Sequence, residues 1–152
     1  MPDVIGIDHI YIAVANLQRS EAFYDVVMPL LGFRKNTFVL AGEPHVQYFN
    51  RHLGYVLRPA RISHAAISHA AISHADTAYA PGLHHLCWRV DSSSDVAELA
   101  LQLQQAGIAV TAAESYPEYA PDYVACFLSD PDGIRLEITN YRLERRDRHD
   151  HW

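Results

Sequence analysis

The sequence predicts an α+β fold in which two βαβββ modules form a funnel-like curved mixed sheet with the helices outside. The chain has 152 residues, 49% of them hydrophobic, which is a one-domain length with enough apolar side chains for a sizeable core. Extended and helical periodicities alternate along the chain, and their order in the first half recurs in the second. We therefore expect residues 1–152 to form a single domain built from two related modules.

The first module opens with a predicted strand and a predicted helix. Val4 to Val14 is rich in Val, Ile and Tyr and partly alternates, which favours a strand. A helical period follows Asn16, which can cap the helix, and Gly32 suits the position just after its end. Pro29 interrupts this pattern, so the helix is expected to kink or end near Met28. Three extended runs complete the module: Phe33–Leu40, His45–Asn50 and Leu53–Arg58.

The second module repeats this order of elements. Leu83 to Val90 is a predicted strand, Ser92 to Asp95 offers caps for a helix, and the helix should stop at Gly107. The segment Asp130-Pro131-Asp132-Gly133 predicts a tight turn, because Pro presets φ and Gly accepts a positive φ. This turn should set the register of the last strand. The predicted strands after the helix are Ile108–Ala113, Tyr123–Leu128 and Ile134–Thr139.

The two modules also align residue by residue at their first strands. His9-Ile-Tyr-Ile-Ala-Val14 can be laid over His85-Leu-Cys-Trp-Arg-Val90, and a glycine follows each at nearly the same distance, Gly32 and Gly107. This favours an internal duplication of about sixty residues over a chance similarity of two strand-helix pieces. The predicted organisation is module one at 4–60, a connecting repeat segment at 61–81, module two at 82–141 and a charged tail, expected to be frayed, at 142–152.

The connecting segment contains Ile62-Ser-His-Ala-Ala and two further copies of this unit, the last one ending in Asp76. A period of five matches neither a helix nor a strand, so His64, His69 and His74 cannot form one chelating stripe. Two interpretations stay open, a metal-scavenging tract and a tandem expansion tolerated in a surface connection. We favour the second.

The composition argues against several classes of partner. Twelve Lys plus Arg against eighteen Asp plus Glu leave a net charge of −6, which disfavours nucleic acid. No apolar run is long enough to cross a bilayer, and the first residues lack the pattern of a signal peptide. Cys87 and Cys126 allow one disulfide at most. We expect a cytoplasmic protein with neither a nucleic-acid nor a membrane partner.

Three side chains form a candidate metal site. His9 and His85 occupy matching positions of the duplicated strands, and Glu137 lies on the last predicted strand. If the modules curl into facing half-barrels, these side chains meet inside one funnel. Two imidazoles and one carboxylate suit a divalent transition metal and leave positions open for substrate or water. The alternative for each of them is an ordinary structural residue.

Four stretches of the chain resemble the vicinal oxygen chelate superfamily, which includes glyoxalase I, extradiol dioxygenases, fosfomycin-resistance enzymes and bleomycin-binding proteins. The stretches are Ile7-Asp8-His9-Ile10, Phe23-Tyr24 with Leu31-Gly32-Phe33, Gly82-Leu83-His84-His85-Leu86, and Asp130 to Glu137. The resemblance spans essentially the whole chain except the repeat and the tail. It implies that His9, His85 and Glu137 are the metal ligands.

The resemblance further implies an enzyme that binds Fe, Mn, Ni or Zn and acts on a small oxygen-chelating substrate by lyase, isomerase or dioxygenase chemistry. Tyr11 and Arg58 join Glu137 as candidate catalytic residues. Members of the superfamily commonly pair, so a homodimer is implied. The alternative function is a metal-free binding protein of the bleomycin-resistance type, which the complete His/His/Glu set disfavours.

Departures from the superfamily patterns narrow these activities. Glyoxalase I needs a fourth ligand at the position related to Glu137 by the duplication, and counting from Gly54 as from Gly133 places Arg58 there. Because arginine cannot ligate a cation, methylglyoxal isomerisation is disfavoured. The Arg58 guanidinium has two open roles, a clamp for a substrate carboxylate or phosphonate and a surface ion pair. Extradiol dioxygenases have a Tyr where this chain has Phe127, so ring cleavage lacks that phenol. A fosfomycin-resistance role stays open.

Other polar residues have simpler interpretations. His45 and His52 are interpreted as surface residues and Cys87 as a packing residue. His84 should point to the face opposite His85, because strand side chains alternate. One of three tyrosines is expected to hydrogen-bond or stack in the pocket, with the other two in the core: Tyr11, Tyr48 and Tyr123.

Overall fold

The computed structural model describes residues 4, 6–61 and 83–150. The chain divides into two compact units, residues 1–78 and residues 79–152. The repeated histidines His64, His69 and His74 lie outside the described residues, so both interpretations of the repeat stay predictions, as does the single-domain organisation.

The first unit has the predicted βαβββ order. Its strands form one mixed sheet in the order β1-β4-β3-β2, in which β1 runs parallel to β4 and the other neighbours are antiparallel. The strand predicted from Val4 begins only at His9. The elements are β1 His9–Val14, α1 Leu17–Leu30, β2 Arg34–Leu40, β3 Glu43–Phe49 and β4 Gly54–Pro59.

The ends of α1 follow from its terminal residues. The Asn16 side chain accepts a hydrogen bond from the backbone N–H of Arg19, which confirms the predicted cap. The helix passes Pro29 and ends at Leu30, two residues beyond the prediction. In the last turn a proline removes only one terminal hydrogen bond, so the helix tolerates it. Gly32 follows with φ +78°, the left-handed conformation expected after a helix.

The second unit repeats the same connectivity, so the α+β class with two βαβββ modules is confirmed. Its sheet order is β5-β8-β7-β6, with β5 parallel to β8. Ser92 caps its first helix, and Asp95 completes a reciprocal capping box. The elements are β5 Leu86–Val90, α2 Ser93–Gln105, β6 Glu114–Ser115, β7 Val124–Ser129, β8 Arg135–Asn140 and α3 Leu143–Asp150.

Two predictions for this unit are wrong. The expected strand Ile108–Ala113 contributes only an isolated bridge from Val110 to Leu128, and the edge strand is the two-residue β6. The tail expected to be frayed forms α3, because Arg146 bonds Asp91 at 2.8 Å and lies over the Tyr141 ring. None of the described helices combines the length and the hydropathy needed to cross a bilayer.

Each sheet packs its helix on one face and leaves the other face for the site. In the first unit the helix-facing core is built on three tyrosines, and in the second unit it is aliphatic. All of these side chains are fully buried: Tyr24, Tyr48 and Tyr55 in the first unit, and Leu103, Leu136 and Ile138 in the second. Because strand side chains alternate, the residues on either side of these core positions point to the opposite face.

Candidate functional site

The site face of the second unit brings His85 and Glu137 together. Glu137 lies on β8, paired with Cys87 of β5, and His85 comes just before β5 begins. The His85 Nε2 and Glu137 Oε2 atoms are 3.3 Å apart. The Glu137 carboxylate is buried, with only 5% of the residue exposed. Two of the three predicted ligands are therefore neighbours whose polar atoms face each other.

Tyr123 holds the other oxygen of this carboxylate. Its hydroxyl donates to Glu137 Oε1 at 2.5 Å. Burial of the phenol, and then this hydrogen bond, raise the pKa of Tyr123 above its usual range, so the hydroxyl stays protonated and remains a donor. Of the three tyrosines weighed from the sequence, this one binds the predicted ligand. Position along the strand could not single it out, because Tyr123 lies before β7 begins.

His84 also lies at this site, contrary to the prediction from strand alternation. Its Nδ1 and the Nδ1 of His85 are 2.7 Å apart, within hydrogen-bond distance. The prediction is wrong because β5 begins at Leu86, so neither histidine is held in the alternating geometry of a strand. The contact occupies the Nδ1 of His85 and leaves its Nε2 facing Glu137.

These residues line a cavity of about 500 Å³ within the second unit. Aromatic residues form one side, and Arg135, the first residue of β8, also lines the cavity. The side chains around it are His84, His85, Tyr119, Tyr123, Phe127, Arg135 and Glu137. The cavity thus combines two imidazoles and a carboxylate with aromatic rings and an arginine. Phe127 occupies it in place of the phenol that the dioxygenase pattern requires.

Cys87 supports the packing interpretation. Part of the residue is exposed, but the thiol itself is desolvated, and this, with the nearby Glu137 carboxylate, raises the pKa of Cys87 to about 12. A thiol with this pKa is protonated at neutral pH and is a poor nucleophile.

The first unit presents a related but different face. This unit has a cavity of about 350 Å³ with both polar and apolar residues in its lining. Among them are Asp8, His9, Tyr11, Gln47, His52 and Val56. His9 Nδ1 lies 2.7 Å from Asp8 Oδ2, an arrangement that orients the imidazole and leaves Nε2 free of that contact. The Tyr11 ring meets the His9 ring edge-on at 5.4 Å. The location of His52 at this surface agrees with the sequence interpretation.

The register of the sheets corrects the position related to Glu137. Cys87 pairs with Glu137 in β5 and β8, and Tyr11, which matches Cys87 in the duplication, pairs with Val56 in β1 and β4. The counterpart of Glu137 is therefore Val56, and Arg58 is wrongly placed there by counting from the glycines. Valine has no ligating atom, so the first unit still lacks a carboxylate at this position.

Arg58 makes a structural ion pair. Its guanidinium bonds the carboxylate of Glu43, which also accepts from Arg61 at 3.1 Å. These two arginines hold the pKa of Glu43 below its usual range, chiefly through the Arg61 hydrogen bond. Arg58 is thus engaged within its own unit, in the second of its two open roles, and substrate clamping by this residue stays a prediction.

His45 is not a surface residue. Only 2% of it is exposed, its ring stacks on Phe38 with centroids 4.9 Å apart, and its Nδ1 donates to the Glu43 carbonyl at 2.9 Å. Its location in the middle of β3, opposite Phe38 of β2, explains the burial. The sequence suggested a surface residue because the strand was predicted to begin, rather than continue, at this histidine.

The fold and this constellation of side chains agree with comparisons to known proteins. A scan against family models matches residues 6–138 to the Glyoxalase/Bleomycin resistance protein/Dioxygenase superfamily. The chain belongs to this superfamily. A search of curated protein sequences found no significant match.

Solved structures of superfamily members share the fold at low identity. A putative glyoxalase from Bacillus halodurans is 23% identical, with a TM-score of 0.62 over 89% of this chain and 95% of that one. Lactoylglutathione lyase from Agrobacterium tumefaciens is 20% identical, with a TM-score of 0.57 over 91% and 94%. The fosfomycin resistance protein FosX from Listeria monocytogenes, in complex with Mn(II) and sulfate, is 14% identical, with a TM-score of 0.59 over 95% and 98%.

The FosX structure holds Mn(II), and a site for such an ion needs nitrogen and oxygen donors close together. His85 and Glu137 supply one imidazole nitrogen and one buried carboxylate 3.3 Å apart, a donor pair that fits a divalent transition metal. Among residues 4, 6–61 and 83–150, no group of three or more His, Cys, Asp or Glu side chains is assembled to hold an ion. His9 belongs to the other compact unit, so the triad stays a prediction.

Proposed function

We propose that this chain is a metalloenzyme that holds a divalent ion through His9, His85 and Glu137 and acts on a small substrate with adjacent oxygens. The observation that carries the proposal is the pair formed by His85 Nε2 and the buried Glu137 carboxylate at 3.3 Å. Burying a carboxylate is costly unless its charge is compensated. A cation bound between the two side chains would compensate it.

The surroundings of both histidines support ligation. Ligating histidines usually have their second nitrogen bonded to another group, which fixes the orientation of the ring. His9 Nδ1 is within hydrogen-bond distance of Asp8, and His85 Nδ1 is within hydrogen-bond distance of His84. In both residues the Nε2 atom is the one available for an ion.

The residues of the second unit have separable tasks in this proposal. Glu137 supplies the negative charge, and Tyr123 keeps its carboxylate oriented by donating to Oε1. Tyr119, Tyr123 and Phe127 line one side of the cavity with aromatic rings. The ion, when bound, supplies Lewis acidity at the substrate oxygens. Three protein ligands leave two or three coordination positions for those oxygens.

A metal-free binding protein of the bleomycin-resistance type is the second candidate function. It is favoured by the fact that no three-ligand group is assembled among the described residues. The pairing of His85 with the buried Glu137 carboxylate favours the enzyme, because sequestering a ligand does not require it.

Metal analysis of the protein purified without chelator distinguishes the two functions. We expect about one Fe, Mn, Ni or Zn ion per chain, either retained or taken up on addition. Glu137→Gln keeps the size of the side chain but removes the charge, and it should lower metal affinity by at least about 100-fold. Glu98→Gln on α2, an exposed glutamate, is the matched control and should bind metal like the wild type.

Two results would reject the metalloenzyme. One is a wild-type protein that takes up less than about a tenth of an ion per chain with each of the four metals. This result would favour the metal-free binding protein. The other is unchanged metal affinity in Glu137→Gln. The homodimeric state and cytoplasmic location expected above belong to the same proposal, and sedimentation velocity tests the first of them.

A further inference from the structure

Arg135 is the cation of the cavity that holds His85 and Glu137. It is the first residue of β8 and pairs through its backbone with Ser129 of β7. Glu137 lies two residues further along the same strand, so both side chains point to the same face. Arg135 lines the cavity and is solvent exposed.

Unlike several other arginines, Arg135 has a guanidinium with no hydrogen-bond or ion-pair partner among the described residues. Among the residues that the structure describes, no hydrogen bond, ion pair or ring contact involves the Arg135 side chain. By contrast, carboxylates bind Arg58, Arg146 and Arg148. The one carboxylate in the cavity, Glu137, is engaged by Tyr123 and His85. The five N–H donors of the Arg135 guanidinium are therefore not engaged by any group in the described part of the chain.

The side of the cavity beside Arg135 is lined by aromatic rings. Tyr119 and Tyr123 meet edge to face with centroids 5.5 Å apart. The Phe127 ring makes the same kind of contact with Tyr116, with centroids 5.6 Å apart. Rings fixed in this way present faces and edges on which a planar molecule can stack. At about 500 Å³ the cavity is of a size suited to a small organic molecule.

We propose that Arg135 binds the anionic group of a planar organic substrate, such as an aromatic carboxylate, whose body packs against Tyr119, Tyr123 and Phe127. The guanidinium fork matches two carboxylate oxygens, which gives a bidentate contact and selects an anion over a neutral amide of the same shape. This names the substrate class of the proposed metalloenzyme and rests on that function. It assigns the clamp to Arg135, since Arg58 is bound to Glu43.

The experiment compares binding of benzoate with that of its neutral isostere benzamide by calorimetry, in metal-loaded and in chelator-treated protein. The wild type should bind benzoate about tenfold more tightly than benzamide in the loaded form, and the preference should persist, more weakly, without metal. Arg135→Gln should reduce this preference to about one in both forms. Arg135→Lys keeps the charge without the fork and should retain part of it. Arg145→Gln, at an exposed position of α3, is the control with the same charge change.

Metal content of Arg135→Gln separates this proposal from the metalloenzyme. It should equal that of the wild type, because Arg135 is not a ligand. A benzoate preference that survives in Arg135→Gln, or one that disappears equally in Arg145→Gln, would overturn the clamp, as would a wild type that does not bind benzoate. A wild type that discriminates the two probes through Arg135 but takes up no metal would keep the clamp and reject the metalloenzyme.

Discussion

The two units share one backbone plan and differ in the side chains on their site faces. His9 in the first unit matches His85 in the second. At the matching position of the last strand, the first unit has Val56 and the second has Glu137. On the neighbouring strand Gln47 pairs with Val56, whereas Phe127 pairs with Glu137. The two units thus share the sheet and the histidine. At these matched positions, only the second unit has the carboxylate and the aromatic side chain.

The turns before the last strands are also related and also differ. In the first unit, Asn50 Oδ1 accepts from the backbone N–H groups of His52 at 2.8 Å and Leu53 at 3.1 Å. In the second unit, Asp130 Oδ1 accepts from Asp132 at 2.9 Å and Ile134 at 2.8 Å. Both turns are thus closed by a side-chain oxygen. The second is one residue longer, and its acceptor is a buried, charged carboxylate.

Truncating the two acceptors should give the largest difference between the units. Asp130→Ala leaves two backbone N–H groups without their buried carboxylate acceptor, and we expect it to lower the free energy of unfolding by about 3 kcal/mol. Asn50→Ala removes a neutral acceptor from a more exposed turn and should cost about 1 kcal/mol. Urea unfolding of the two variants measures both. If Asn50→Ala lowers the free energy of unfolding as much as Asp130→Ala, the charge and burial of the acceptor do not determine how much each turn contributes to stability.

The same turns explain where the sequence could and could not predict the site. Strand alternation and the helix caps at Asn16 and Ser92 follow from local chemistry, so the order of elements was predictable. The register was not. Gly133, with φ +84°, belongs to its turn, whereas Gly54 is already the first residue of β4 and corresponds to Arg135.

Contacts that depend on side-chain reach were also outside the sequence pattern. The hydrogen bond from Tyr123 to Glu137 joins a residue just before β7 to one on β8, fourteen positions apart, and no spacing rule predicts such a contact. His84 was assigned to the wrong face because alternation was extended beyond the start of β5. The predicted ligands His85 and Glu137 meet because Glu137 lies on β8 and His85 immediately precedes β5, the strand that pairs with β8.

The contact between Tyr123 and Glu137 provides the next test of the comparison. Tyr123→Phe removes the only hydroxyl that donates to Glu137 Oε1 among the described residues, so the carboxylate becomes less well oriented. We expect metal affinity to fall about tenfold, with thermal stability little changed, measured by competition with a chelating dye. Tyr11→Phe, the matched change on the site face of the first unit, should alter metal affinity little, because Tyr11 contacts His9 through its ring. Equal losses in both variants would contradict a specific role for Tyr123.

The cores beneath the two sheets differ as much as the site faces do. Around Tyr48 in the first unit, Tyr24 and Tyr55 share a hydrogen bond between their hydroxyls at 2.9 Å, and the Tyr48 hydroxyl donates to Asp25 at 2.8 Å. At the position of the second sheet that matches Tyr48 by register, the residue is Leu128. At these core positions the first unit therefore buries ionisable phenols where the second buries hydrocarbon, and alkaline pH should act on this part of the first unit.

The smallest predicted effect is a pH dependence that originates at Tyr48. Burial, and then the hydrogen bond to Asp25, raise the pKa of Tyr48 well above its usual value near 10. Above about pH 10 the unfolded chain releases this proton while the folded chain keeps it, so the folded state binds more protons and stability falls as pH rises. Between pH 10 and 11 this group should contribute a loss of about 1 kcal/mol in the free energy of unfolding. Tyr48→Phe should be less stable than the wild type at pH 8, but between pH 10 and 11 its free energy of unfolding should fall by about 1 kcal/mol less. The control is Tyr119→Phe, which removes a phenol from a residue that is 62% exposed and should follow the wild type. Urea unfolding at pH 8, 10 and 11 measures how the free energy of unfolding changes with pH. Parallel curves for the wild type and Tyr48→Phe would show that Tyr48 does not make the tyrosine core of the first unit sensitive to alkali.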